Sequence, residues 1–328
     1  MKRMRQMLYD LLQKLGKDFP IKGIALVTVF LTGFVLTFIC LRVFRKLLPK
    51  DQGREFAVNG SLSEGKARGA GLIFVTCFVF LAALFIPLNV ELVLYMVFIY
   101  LAMLSGYFDD AAEVPWGNLK KGLIDLVVSC GIGYTYYHFN SSDITIGLFN
   151  WHIHIPPVLF VILASALVWA SINVTNCADG VDGLCATLCI VSIMLLGRLL
   201  DSSNMMSMCI IMVGVLAAYL WFNASPSTML MGDAGSRALG VFLALLALKS
   251  AMPIAYIPLC IMLIIDGGLG LIKVSFIRFL KLKGFMKNIR TPIHDHVRKN
   301  KGWSDTQVVL RFVIIQIVIG VCYHLGGM

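Results

Sequence analysis

Residues 72–110 read LIFVTCFVFLAALFIPLNVELVLYMVFIYLAMLSGYFDD. Two apolar runs, Leu72 to Leu88 and Val90 to Phe108, hold Glu91 as their one charged side chain, and the second ends on the pair Asp109-Asp110. Each run has about the 20 residues that the hydrocarbon core of a bilayer demands of a helix. A polar motif placed abruptly at the end of such a run is the recurring theme of the chain. Ile24 to Cys40, Val158 to Ile172 and Gly240 to Leu248 are further runs of the same kind.

The composition agrees. Of 328 residues, 59% are hydrophobic and 14% charged, whereas soluble domains carry about 25% charged residues. The sequence therefore predicts an all-α polytopic integral membrane protein, one transmembrane domain over 1–328. About ten transmembrane helices are expected, at approximately 22–44, 69–87, 90–108, 119–138, 156–173, 183–200, 205–222, 235–250, 253–280 and 307–326. Residues 1–19 mix charges with Leu8, Leu11, Leu12 and Leu15, as an interfacial helix does. The net charge of +10 is confined to loops between apolar runs rather than spread as a nucleic-acid-binding surface, so no nucleic acid is expected. The nine cysteines lie mostly inside apolar segments, where the thiol behaves as a small hydrophobe; neither a zinc site nor a disulfide framework is expected.

Helices alternate direction, so the loops after odd-numbered helices share one face: about 45–68, 109–118, 174–182, 223–234 and 281–306. Every dense polar motif falls in these five. Arg42, Arg45, Lys46, Lys50, Arg54, Lys66 and Arg68 border the first, and Arg278 through Lys301 the last. The positive-inside rule puts that face in the cytoplasm. Lys2, Arg3, Arg5, Lys14, Lys17 and Lys22 oppose this assignment, because an even helix count leaves the N-terminus outside.

Four motifs carry chemistry. Asp109-Asp110 places two repelling carboxylates at a helix end, a pair that a nearby cation would relieve; simple solvation of a helix end is the alternative. Asn173-Val-Thr-Asn176-Cys-Ala-Asp179-Gly180-Val-Asp182-Gly183-Leu184 gathers two amides and two acids, each acid followed by a turn-permitting glycine; an Asn/Asp/Gly turn is the plainer account. Asn223-Ala-Ser-Pro226, then Met231-Gly232-Asp233-Ala-Gly-Ser236, sits before a helix start, which is either an anion site or a capped helix. Pro292-Ile-His294-Asp295-His296 is followed by Arg298, Lys299 and Lys301, a basic rim suited to phosphates. Acids beside basic residues suit phosphoryl transfer, which rests on positioning and charge neutralisation. A transporter would place its polar groups near the bilayer midplane. Asp266 is the clearest acid inside a span; it either pairs with Lys273 or lies on the polar side of a helix broken at Gly267-Gly268.

In this order the motifs resemble the polyprenyl-phosphate N-acetylhexosamine-1-phosphate transferase superfamily. Within it they are most similar to the MraY family, through His294 and His296 and Lys301-Gly-Trp303-Ser304 with Gln307-Val-Val309. There are departures. Asp295 stands where the family has a middle histidine. The first loop keeps only Lys66, Arg68, Gly69 and Gly71 of a longer pattern. Glu113 stands where a basic residue follows the paired acids, although Lys121-Gly-Leu123 is kept, and Leu230 replaces an aromatic residue. The resemblance implies transfer of phospho-MurNAc-pentapeptide from UDP-MurNAc-pentapeptide to undecaprenyl phosphate, with Mg²⁺, at the cytoplasmic face of the bacterial inner membrane, and a homodimer. By the same resemblance Asp109, Asp110, Asp233 and His294 are catalytic, Asp233 and Asp110 hold the metal, and Asn173, Asn176, Asp179, Asp182, Asn223, Lys66, Lys121 and His296 bind substrate. The rivals are a sister transferase acting on UDP-GlcNAc and a nucleotide-sugar or lipid transporter.

Overall fold

The computed structural model describes residues 21–51, 53, 63–114, 116–147, 149, 151–282 and 284–327. The expected interfacial helix at 1–19 and residues 52 and 54–62 of the first loop lie outside the described residues. Each of the ten apolar segments is helical: α1 Ile21–Phe44, α2 Gly71–Phe85, α3 Val90–Asp110, α4 Asn118–Phe139, α5 Pro157–Cys177, α6 Leu184–Gly197, α7 Ser203–Asn223, α8 Gly232–Lys249, a broken ninth segment and a tenth at Asp305–Gly326. The ninth comprises α9 Tyr256–Leu259, α10 Ile261–Leu263, a π turn Ile264–Gly268 and α11 Leu269–Phe279. Within the last loop Ile293–Lys301 forms α12, and the tenth segment is α13.

Five helices among the described residues are long and apolar enough to cross a membrane, and the bent ninth segment makes a sixth. The chain is a multi-pass membrane protein. Along α1, Val27, Leu31, Val35, Ile39 and Val43 recur every fourth residue, and all are more than half exposed. Such an apolar stripe would be a liability in water and is what a lipid-facing helix presents.

α8 is the opposite case. Every residue from Gly232 to Leu248 is buried, with α2, α3, α5 and α6 packed around it. A helix surrounded by protein need not be uniformly apolar, so Asp233 and Arg237 are accommodated in its first turns. Close approach there depends on missing side chains. A Cβ on Gly106 of α3 would strike the backbone of Asp233 and Ala234, and one on Gly71 would strike that of Ala234 and Gly235. Those two contacts draw the paired acids and the first loop onto the start of α8.

The all-α expectation is corrected in one place. Strands β1 Asp143–Ile146 and β2 Trp151–His154 pair antiparallel, with Asp143 opposite His154. Ile144 and Ile153 alternate with polar neighbours on them, the period-2 pattern of a ribbon, in a stretch read from sequence as plain loop.

The break in the ninth segment is stabilised by Gln316 of α13, fully buried. Its Oε1 accepts from the Met262 N–H at 3.0 Å and its Nε2 donates to the Pro258 carbonyl at 3.2 Å. Backbone groups freed by a break at membrane depth require partners of this kind.

Candidate functional site

The polar motifs converge on one end of the bundle. Asp109 and Asp110 end α3; Asp109 is buried, and the side chain of Asp110 is fully enclosed. The Asp109 carboxylate accepts from the Trp116 N–H at 2.8 Å and is ion-paired with Lys121 of α4. Asp110 accepts from Arg68 Nε at 2.8 Å and from the Ala234 N–H at 3.1 Å. Gly232 has φ +67, and a Cβ there would overlap the Asp110 carboxylate, so a glycine is needed for this contact on both counts. Asp233 receives Lys121 Nζ at 3.4 Å, Arg237 Nε at 3.7 Å and Arg68 Nη2 at 3.9 Å. Arg237 in turn holds Asp125 at 3.1 Å, and Arg68 Nη1 holds Asp51 at 2.9 Å.

These contacts form one network of five carboxylates (Asp51, Asp109, Asp110, Asp125, Asp233) and three cations (Arg68, Lys121, Arg237), leaving two net negative charges. Burial alone would make the Arg68 guanidinium easier to discharge. The carboxylates of Asp110, Asp233 and Asp51 outweigh that and raise its pKa above the ordinary arginine value. The oxygen donors of Asp110 and Asp233, in a network with two uncompensated charges, fit a hard divalent cation such as Mg²⁺. That ion is commonly held by one or two carboxylates, with water and substrate completing its shell. Among the described residues no cluster of three or more His, Cys, Asp or Glu side chains forms a closed metal site.

Beside this network lies a cavity of about 430 Å³, lined among others by Lys66, Arg68, Asp179, Asp182, Asn223, Gly232, His294 and Arg298. Its size lies within the range of small-molecule sites. Asp182 accepts from the Ser227 N–H at 2.9 Å, and Lys66 Nζ lies 2.9 Å from Ser227 Oγ and 3.8 Å from Asp182. Asn176 donates to Ser236 Oγ at 3.0 Å, which ties the end of α5 to α8.

Two expected substrate contacts, Asn173 and His296, do not line the cavity, and a third, Asn223, lines it while also holding two loops together. Asn173 turns back to the Trp169 carbonyl of its own helix at 2.8 Å. Asn223 is buried and links two loops, accepting from the Gly183 N–H at 2.9 Å and donating to the Met229 carbonyl at 3.0 Å. His296 faces away from the cavity and accepts from the Arg290 N–H at 3.3 Å. Residues two apart on a helix do not share a face, so His294 turns inward on α12 and His296 outward.

Of the two readings of Asp266, the pair with Lys273 does not form. Lys273 donates to the Ile289 carbonyl at 2.6 Å. Asp266, fully buried in the π turn, accepts from the His294 backbone N–H at 2.7 Å and meets His294 Nδ1 at 2.8 Å. The opposite ring edge of His294 packs against Gly180, where a Cβ would clash with Nε2. Asp266, Asp51, Asp125 and Arg237 were thus missed as site residues. For Asp125 a signal existed, since it follows Lys121 by four residues on one helix face. For Asp51 none did.

Comparison with known proteins agrees with the geometry. Residues 92–251 match glycosyl transferase family 4. The chain is 36% identical over 307 residues to a phospho-N-acetylmuramoyl-pentapeptide-transferase of Treponema pallidum subsp. pallidum, covering 87% of this chain and 84% of the relative. It is 28% identical over 314 residues to the enzyme of that name from a Wolbachia of Drosophila simulans, covering 89% and 96%. Against that of Clostridium perfringens it is 28% identical over 312 residues, covering 90% and 93%.

Proposed function

This chain belongs to the phospho-N-acetylmuramoyl-pentapeptide transferase family, and from that premise we infer that it transfers phospho-MurNAc-pentapeptide from UDP-MurNAc-pentapeptide to undecaprenyl phosphate, giving lipid I and UMP. One observation carries the reading at the level of chemistry. Asp109, Asp110 and Asp233, from two separate helices, meet Arg68 and Lys121 beside a nucleotide-sized cavity.

An oxygen of the acceptor phosphate attacks the phosphorus that carries the sugar. The new P–O bond forms as the pyrophosphate P–O bond breaks, and its electron pair leaves with UMP. The acceptor phosphate, with a second pKa near 6 as a monoester, is largely ionised at neutral pH, so placing it matters more than deprotonating it. Asp109, oriented by the Trp116 N–H and Lys121, takes any remaining proton and fixes the approach. Lys121 and Arg68 face the developing phosphate charge, and His294, braced by Asp266, lines the phosphate-binding wall. Asp179 and Asp182, which line the same cavity, read the nucleoside. Asp233 and Asp110 would hold Mg²⁺, which would supply positive charge against the pyrophosphate, and the two uncompensated negative charges of the network support this. The reading further places the chain in the bacterial inner membrane with ten crossings, its site at the cytoplasmic face, and assembles it as a homodimer.

The deciding experiment is UMP release by detergent-purified protein given Mg²⁺, polyprenyl phosphate and UDP-MurNAc-pentapeptide, with UDP-GlcNAc in parallel. Release is expected from the muramyl donor alone, is lost with EDTA, and falls by at least about 100-fold in Asp233→Asn, the scale of a removed charge-stabilising group. Release from UDP-GlcNAc would move the chain to the sister activity, and silence with both donors would defeat the transferase reading.

A further inference from the structure

Arg68 is hydrogen-bonded on two sides and only loosely paired, with Asp233, on a third. Its Nε and Nη1 are engaged by Asp110 and Asp51 at 2.8 and 2.9 Å. The remaining nitrogen, Nη2, makes no hydrogen bond among the described residues and stops 3.9 Å short of Asp233. The side chain is 21% exposed and borders the cavity. Guanidinium carries five donors in a rigid fork that matches phosphate oxygens two at a time. Here part of the fork is anchored and the rest faces ligand space.

The backbone beneath it is equally fixed. Arg68 N–H donates to the Pro49 carbonyl at 2.8 Å, Asp51 N–H to Lys66 at 2.8 Å, Leu230 N–H to Ala67 at 2.8 Å and Ala70 N–H to Leu230 at 3.0 Å. The first loop is thereby stitched to the strand-like segment that leads into Gly232-Asp233. Asp51 is 3% exposed and also accepts from Ser63 Oγ at 2.5 Å and the Gly53 N–H at 3.3 Å, so its carboxylate cannot follow the arginine. Beside Asp110 and Asp233 alone, a guanidinium would close onto both acids. Asp51 pulls it from the other side and keeps it off Asp233.

We propose that Arg68 is a phosphate-gripping residue for the diphosphate of the donor, and that Asp51 is the positioning residue that holds its fork open towards that ligand. The inference rests on the transferase reading, narrows the part of Arg68 in it to the donor's diphosphate, and adds Asp51 as a residue that acts through Arg68. Because the arginine is immobilised before the ligand arrives, little side-chain freedom remains to be lost on binding.

The test is calorimetric titration of the purified full chain with UDP and, separately, with uridine, in Mg²⁺. The native protein binds UDP more tightly than uridine. In Arg68→Gln the UDP affinity falls about 10- to 100-fold, as loss of a charge-assisted pair implies, while uridine binding holds. Arg68→Lys lies between, since an ammonium keeps the charge and loses the fork. Asp51→Asn repeats the selective loss of UDP, and Asp51→Glu recovers part of it. Equal losses for UDP and uridine, or UDP binding unchanged in Arg68→Gln, would overturn the proposal and leave Arg68 as a staple between the first loop and α3. If Arg68→Gln does not fold, the Arg68→Lys and Asp51→Asn titrations decide by the same UDP-to-uridine ratio. A native protein that binds UDP no better than uridine would sink the transferase reading itself, and the Arg68 proposal with it.

Discussion

At the scale of single residues, the motif Pro292-Ile-His294-Asp295-His296 divides into unequal parts. His294 is buried and oriented by Asp266, whereas His296 bonds to the Arg290 backbone outside the cavity. A carboxylate on Nδ1 fixes which ring nitrogen faces the ligand, and hydrogen bonds to charged groups are worth about 1.5–3 kcal/mol. Asp266→Asn should therefore lower kcat for UMP release by about 10- to 100-fold, and His294→Ala by at least as much, while His296→Ala changes it less than about threefold. Steady-state kinetics of the three variants checks the ranking. If His296→Ala proved the more damaging, the inward and outward placement of the two histidines would be wrong. The sequence showed both histidines but not their division, because Asp266 lies 28 residues away and only the fold brings it to one of them.

At the scale of elements, the apolar runs were legible because bilayer length is a local property. Ten expected segments match ten helical ones, and Ile21–Phe44 and Pro157–Cys177 start within one residue of expectation. What escaped was non-local or short. The strands Asp143–Ile146 and Trp151–His154 have four residues each, too few for alternation to register. Asp51 gains its meaning only from a partner on another segment, and Asp125 and Arg237 gain most of theirs from each other across two helices. The ninth segment shows both sides of this. Gly267-Gly268 marked the wrong place for its break: the chain passes through them in a π turn, and the 71° bend falls between Leu259 and Ile261, held by Gln316, a residue of α13 that nothing local singles out. Gln316→Leu would leave the Met262 N–H and Pro258 carbonyl without partners, at about 1–3 kcal/mol for each orphaned group. A fall of several degrees in the unfolding temperature in detergent is expected, and an unchanged temperature would show that the break does not depend on this side chain.

At the scale of the whole molecule, the polar site and the β-hairpin lie at opposite ends of the same helices. α4 begins with Lys121 at the site and leads through Asn140 into β1, while α3 begins at Glu91, near Asn140, and ends on Asp109-Asp110. One end therefore concentrates the charged network. At the other, Glu91, Asn140 and Lys249 form a compact cluster at 2.7–2.9 Å. With the site facing the cytoplasm, Ser141 lies outside and Ser227 inside. Ten crossings also place residues 1–19 outside, against the preference of their basic residues for the cytoplasmic side. A membrane-impermeant thiol reagent applied to intact cells, with each position in turn changed to cysteine in a cysteine-free chain, separates these demands. Ser141→Cys should label at once and Ser227→Cys only after permeabilisation. Lys14→Cys should label with Ser141→Cys if all ten segments cross. Labelling of Lys14→Cys only after permeabilisation would instead mean an even number of crossings before the site. The shorter helices Gly71–Phe85 and Leu184–Gly197 would not account for that: both lie after the first loop, so the change would have to come from α1 or from the segment before it. Reversal of the Ser141 and Ser227 results would turn the whole protein over and remove the cytoplasmic nucleotide from reach of the site.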